Sequence, residues 1–174
     1  MKTKFTLALV MLLSLASTKM FAQDKALNIG FGLEGGLPIG SFANGYNFGG
    51  GATLRVAYNL DETSAITATT GAIAFIPKKV TGVDMKAQLN IPIKLGYKYM
   101  LGDVLYGLGE SGFTIARVYM PTISGASGTV TSVSSTEFTY SVGVGAKLGA
   151  FDPSIRYEGY SSSGYLGLRL GFNF

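Results

Sequence analysis

Along the last ten residues, Leu166, Leu168, Leu170, Phe172 and Phe174 fall on one parity and Gly167, Arg169, Gly171 and Asn173 on the other. Strict period-two alternation over about ten residues is the pattern of a strand with lipid on one side and a lumen on the other. The same pattern marks eight candidate strands: 26–37, 48–60, 65–76, 87–100, 104–119, 129–148, 153–160 and 165–174. The connections between them alternate in length. Those at 38–47, 77–86 and between the fifth and sixth strands are long, whereas those at 61–64, 101–103 and 149–152 are short, and the last, at 161–164, is the briefest of the long-side set. Short turns on the side of both termini and longer loops opposite are the pattern of periplasmic turns and extracellular loops.

Charge decides which parity points outward. Leu27, Ile29, Phe31 and Leu33 oppose Asn28, Gly30, Gly32 and Glu34, and Ile91, Ile93, Leu95, Tyr97 and Tyr99 oppose Asn90, Lys94, Gly96 and Lys98. Turning these faces round, as in a soluble lipocalin-like ligand carrier, would crowd the large residues into a narrow lumen and leave a Gly/Ser/Thr stripe in water. The sequence thus predicts an all-β fold, an eight-stranded antiparallel up-and-down transmembrane barrel. Girdle aromatics are expected at Tyr58, Tyr97, Tyr99 and Phe172. Two strands resist assignment. In the third, Ile73 and Phe75 have the opposite parity to Ile66 and Ala68; in the fifth, Glu110 shares a face with Tyr106 and Leu108, so that either all three line the lumen or a bulge shifts the register.

Composition fits. Hydrophobic residues make up 47% of the chain and charged residues only 14%, against about 25–35% on an ordinary soluble surface. Lys2 and Lys4, the apolar run from Phe5 to Ala16 and the Ala22-Gln23 junction read as a secretory leader, too short to span a bilayer as a helix. Its three lysines account for most of the formal charge of +4, so the mature chain stands near +1 and nucleic acid is not an expected partner. The domains expected are therefore a cleaved signal at 1–22 and a barrel at 23–174. With no cysteine there is neither a disulfide framework nor a lipidated N-terminus.

Three stretches, Gly36-Leu37-Pro38-Ile39-Gly40-Ser41-Phe42, Ile155-Arg156-Tyr157-Glu158-Gly159-Tyr160 and Leu166 through Phe174, resemble the small outer-membrane β-barrel domain proteins of the Bacteroidota. The resemblance spans the mature chain and implies an OmpA- or OmpX-like barrel without assigning an activity. It implies a place in the outer membrane of a Gram-negative cell as a monomer of one barrel, surrounded by outer-membrane lipid. Insertion by the barrel-assembly machinery would read Phe172 and Phe174.

Candidate chemistry is sparse. Gly30-Phe31-Gly32-Leu33-Glu34-Gly35 spells a dinucleotide-binding pattern, but no helix follows to direct a dipole at pyrophosphate. Small barrels that catalyse generally use a histidine base, and this chain has none. Its serines at 124–135 have only Glu137 nearby, and its carboxylates lack metal-ligand spacing. No catalytic residue, cofactor or metal is therefore expected. Inside the lumen, Arg55, Lys94, Lys98, Lys147, Arg156 and Arg169 face Glu34, Glu110, Glu158 and Asp152. That set suits either a structural ion-pair network or a narrow porin-like channel that prefers anions. The connection from Arg117 to Glu137 suits a strand pair projecting past the membrane, whose edge could dock a surface partner or serve adhesion; a polar loop is the alternative. Phe42, Tyr46, Met120 and Ile123 are the candidate extracellular contacts.

Overall fold

A computed structural model describes residues 26–78, 87–124, 127–161 and 163–174, with side chains at 119–131 outside the description. The candidate leader and the Ala22-Gln23 junction lie outside the described residues. Eight strands close into one antiparallel barrel in sequence order: β1 (Leu27–Gly40), β2 (Tyr46–Asn59), β3 (Ser64–Pro77), β4 (Gln88–Met100), β5 (Leu105–Ser124), β6 (Ser127–Ala146), β7 (Phe151–Gly159) and β8 (Ser163–Asn173). A single helical turn, α1 (Phe42–Gly45), sits between β1 and β2.

Paired residues carry the register round the wall. Leu27 leads to Tyr58, Ile66, Tyr97, Gly109, Val142, Tyr157, Leu166 and back into β1 at Leu37. One circuit thus advances from residue 27 to residue 37, a shear of ten. For eight strands at the usual spacings this requires a tilt of roughly 40° and an interior that side chains just fill.

Side chains follow the parity expected from charge. Leu33, Leu95, Val142, Val144, Ile155 and Leu168 are exposed on the outer wall, whereas Glu34, Arg55, Lys94, Arg156 and Arg169 are buried. The two ambiguous strands are regular. Ile73 and Phe75 point into the lumen at 1% and 0% exposure while Ile66 faces out at 46%. Tyr106, Leu108 and Glu110 all line the lumen, and β5 keeps an unbroken register with β4 and β6 through that stretch. The shift present lies in β2, between Tyr46 and Gly49.

Both ends of the wall differ from simple loops. β1 runs through Pro38 to Gly40, so the Gly36–Phe42 stretch is largely strand. Gly40 adopts φ +61°, a backbone few side chains tolerate, and turns the chain into α1. At the turn end, Gly149 takes φ +66° between the bridged residues Leu148 and Phe151, and permits a two-residue reversal. The Asp61 carboxylate accepts hydrogen bonds from the Thr63 and Ser64 amides, at 2.7 and 2.8 Å, and from both hydroxyls, which locks the β2–β3 turn. These hydrogen bonds, led by that from the Ser64 hydroxyl, hold its carboxyl at about 2. No helix among the described residues is long and apolar enough to cross a membrane.

β5 and β6 are the longest strands, at 20 residues each. They remain paired with each other from Leu105↔Ala146 to Ser124↔Ser127. β4 accompanies β5 only as far as Arg117, and β7 accompanies β6 only from Tyr140.

Candidate functional site: a filled lumen and a projecting hairpin

Three levels fill the lumen. At the loop end, Phe75 and Tyr165 pack edge to face with centroids 5.1 Å apart, and α1 folds Phe42 onto Phe75 at 4.9 Å. Tyr46 and Tyr160 complete this cluster. A polar chain crosses above it: Tyr46 donates to Gln88, Gln88 Nε2 to Asn90 Oδ1 at 2.8 Å, and Asn90 Nδ2 to the Tyr160 hydroxyl at 3.2 Å. The Phe75 ring fits because Gly49 and Gly36 face it; a Cβ at those positions would stand 2.6 and 3.0 Å from ring carbons. Phe42 and Tyr46, read from sequence as outward contacts, are placed here half-buried, beside a pocket of about 160 Å³. Met120 and Ile123 lie on β5 with side chains outside the described set.

The middle level is an alternating chain of seven charges. Arg169 Nε lies 3.8 Å from Glu34 Oε1, and Arg156 joins Glu34 at 3.0 Å to Glu158 at 3.1 Å. Lys94 then bridges Glu158 at 2.8 Å and Glu110 at 3.1 Å, and Arg55 ends the chain 3.6 Å from Glu110. Six strands supply these charges. β3 and β6 supply hydroxyls instead: Thr69 donates to Glu110 at 2.6 Å and Thr139 to Glu158 at 3.0 Å. Thr53 donates to Glu34 at 2.6 Å. Each carboxylate therefore has two cations and at least one hydroxyl, which is what offsets desolvation of a buried charge. The charged members all lie on the lumen parity read from the sequence. Thr53, Thr69, Thr139 and Ser141 were missed as partners, although their lumen parity is a signal for them.

The third level lies toward the termini. Asp152 accepts from the Tyr106 hydroxyl and from Asn173 Nδ2 at 2.8 Å, and Lys98 approaches it at 3.6 Å while lying 3.8 Å from the centre of the Tyr106 ring. Lys98 thus pairs apart from the seven-membered chain. Lys147 is exposed at the rim of a vestibule of about 880 Å³ that opens at this end, and joins none of the ion pairs described.

On the outer wall, aromatic residues mark two belts. Phe113 and Phe138 meet at 6.0 Å and Tyr140 and Tyr157 at 6.2 Å toward the loop end. Tyr58, Tyr97, Tyr99, Phe172 and Phe174 are exposed toward the termini. From Phe138 on β6 to Leu148 just past its end, the outward residues span roughly 25 Å at the barrel's tilt, the height of a lipid-facing band. Before Phe138 the outward positions become Thr136, Ser134 and Ser132, all exposed. An apolar belt outside, charges inside and no open sheet edge within the belt define an outer-membrane β-barrel.

Residues 5–158 match the outer membrane protein beta-barrel domain family, and the chain belongs to it. Its fold is similar to that of Ail, the attachment invasion locus protein of Yersinia pestis, at 14% identity and a TM-score of 0.57 over 85% of this chain and 96% of that one. It is also similar to the N-terminal β-barrel domain of Pseudomonas aeruginosa OprF, at 15% identity and a TM-score of 0.57 over 84% and 97%. At such identities the likeness is one of fold. No curated protein matches the chain in sequence. The protein resides in the outer membrane, and short turns at one end with longer loops at the other are the pattern of periplasmic turns and extracellular loops.

Proposed function

We propose that this protein is a monomeric, non-enzymatic barrel of the Bacteroidota type whose working surface is the β5–β6 hairpin, used for adhesion or for docking a surface partner. Residues 1–22 act as the leader removed on export, and Phe172 and Phe174 close β8 with the aromatic terminus that the barrel-assembly machinery would read. The observation that carries the reading is the hairpin's length. Among the described residues, β5 has no β4 partner beyond Arg117, and from Ser127 to Thr139 β6 has no β7 partner. Free strand edges outside the membrane offer backbone donors and acceptors to an incoming strand. Residues 127–138, at the same tilt, project roughly 30 Å past the aromatic belt.

A channel role is less well supported, because aromatic and ion-paired levels fill the lumen in series. Excising residues 119–132 as a balanced block, with Val118 and Val133 rejoined through an Asn-Gly turn, keeps the register of the remaining hairpin. The structure of Ail with the heparin analogue sucrose octasulfate makes immobilised heparin a first probe surface, alongside extracellular matrix proteins. Cells displaying the intact protein are expected to be retained and cells displaying the excised form are not. Equal retention of both forms refutes the hairpin as the working surface.

A further inference from the structure

The seven-membered charge chain begins and ends in arginine, with four cations to three carboxylates. The Lys98–Asp152 pair is neutral as a unit, so the buried lumen retains one positive charge in excess. The two ends of the chain converge. Arg55 is paired across the sheet with Gly30 of β1. On the other side of β1, the Arg169 guanidinium lies against the same residue: a Cβ at Gly30 would stand 3.4 Å from Arg169 Nη2, and one at Gly32 or Gly171 would collide with the group. Three glycines thus open one level of the wall to two guanidinium groups.

Both groups use Nε internally, Arg55 toward Thr69 at 3.2 Å and Arg169 toward Thr53 at 3.3 Å. Their four Nη atoms are buried and have no acceptor among the described residues. Arg55 is 4% exposed and Arg169 0%. Asp152, the carboxylate of the adjoining level toward the termini, is already engaged by Tyr106, Asn173 and Lys98. Arg55, Lys98 and Asn173 also line the periplasmic vestibule, which gives the level an entry path.

We propose that Arg55 and Arg169 form a binding site for a small oxyanion admitted from the periplasm. Planar guanidinium forks with free Nη pairs match a carboxylate or phosphate in bidentate fashion, and one bound negative charge neutralises the lumen's excess. Asp61, Glu62, Asp103 and Lys147 also line the vestibule, and their net negative charge opposes a polyanion more strongly than a singly charged ligand. The site goes beyond the hairpin reading and does not depend on it.

The test is a titration of the folded full barrel, labelled with 15N at arginine, with inorganic phosphate at constant ionic strength. The expected result is a saturable shift of the Arg55 and Arg169 Nε–Hε resonances with those of Arg117 and Arg156 unmoved. Arg55→Lys, which keeps the charge and removes the fork, should weaken the apparent affinity by roughly tenfold. The absence of a saturable shift in the wild-type protein overturns the proposal, as does a shift that is equally large at Arg117. If Arg55→Lys folds and binds phosphate as the wild type does, the site is also refuted.

Discussion

Lys94 Nζ stands 2.8 Å from Glu158 Oε2, although β4 and β7 are separated in the wall by two other strands. The contact spans the lumen and joins the two halves of the ion-pair chain. Glu158 also accepts from Arg156 at 3.1 Å and from Thr139 at 3.0 Å, so it is the carboxylate on which two buried cations depend.

Glu158→Ala should therefore destabilise the barrel by about 3–5 kcal/mol, the usual consequence of removing one side of a buried pair. Urea unfolding in lipid vesicles measures it. An unchanged midpoint would mean that water reaches Lys94 and Arg156, and that the lumen at this level is wet.

Outward positions can be tested by depth. Val142 lies midway along the lipid-facing run of β6, and Ser134 lies beyond it. Val142→Arg should cost about 2–4 kcal/mol and Ser134→Arg about 0–1 in the same assay. Similar costs at the two sites would move the membrane boundary.

At the loop end, Gly49 and Phe75 are sterically coupled. Gly49→Ala should lower stability by about 1–3 kcal/mol, because Phe75 is held by Phe42 and Tyr165 and has little room to yield. Phe75→Leu in the same chain should relieve part of that loss, giving a coupling of at least about 0.5 kcal/mol in a double-mutant cycle. Strict additivity would contradict the contact.

Asp61 gives a pH signature at the periplasmic turn. Its folded carboxyl sits at about 2, below the unfolded value, so its contribution is complete above the unfolded value near 3.8 and is lost as pH falls toward 2. Ser64→Ala removes the principal hydrogen bond and should raise the midpoint toward 3.8. Carboxyl NMR titration of the two forms reads this directly.

Sequence made the wall legible because lipid and lumen impose opposite demands on alternate residues, as in β1, β4, β6 and β8. It was ambiguous at β3 and β5 for one physical reason. Near the mouths the lumen is filled by apolar side chains, so Ile73, Phe75, Tyr106 and Leu108 lie inside with the charges rather than outside with the leucines. The members of the charge set were readable, but their pairing was not. Arg156 and Glu34 meet across 122 residues because a shear of ten brings those two levels together. The projecting strand pair was one of two readings of residues 117–137; that its strands run on to Ser124 and Ser127 was hidden by Ser/Gly/Thr-rich residues that carry little alternation.

The proposed action at the surface requires a lumen closed by packed rings and paired charges. Planar-bilayer recording of the folded protein tests this most directly. A flat trace without steady unitary currents is the predicted result; a stable, ohmic single-channel conductance in the wild-type barrel would contradict it and make the protein a pore.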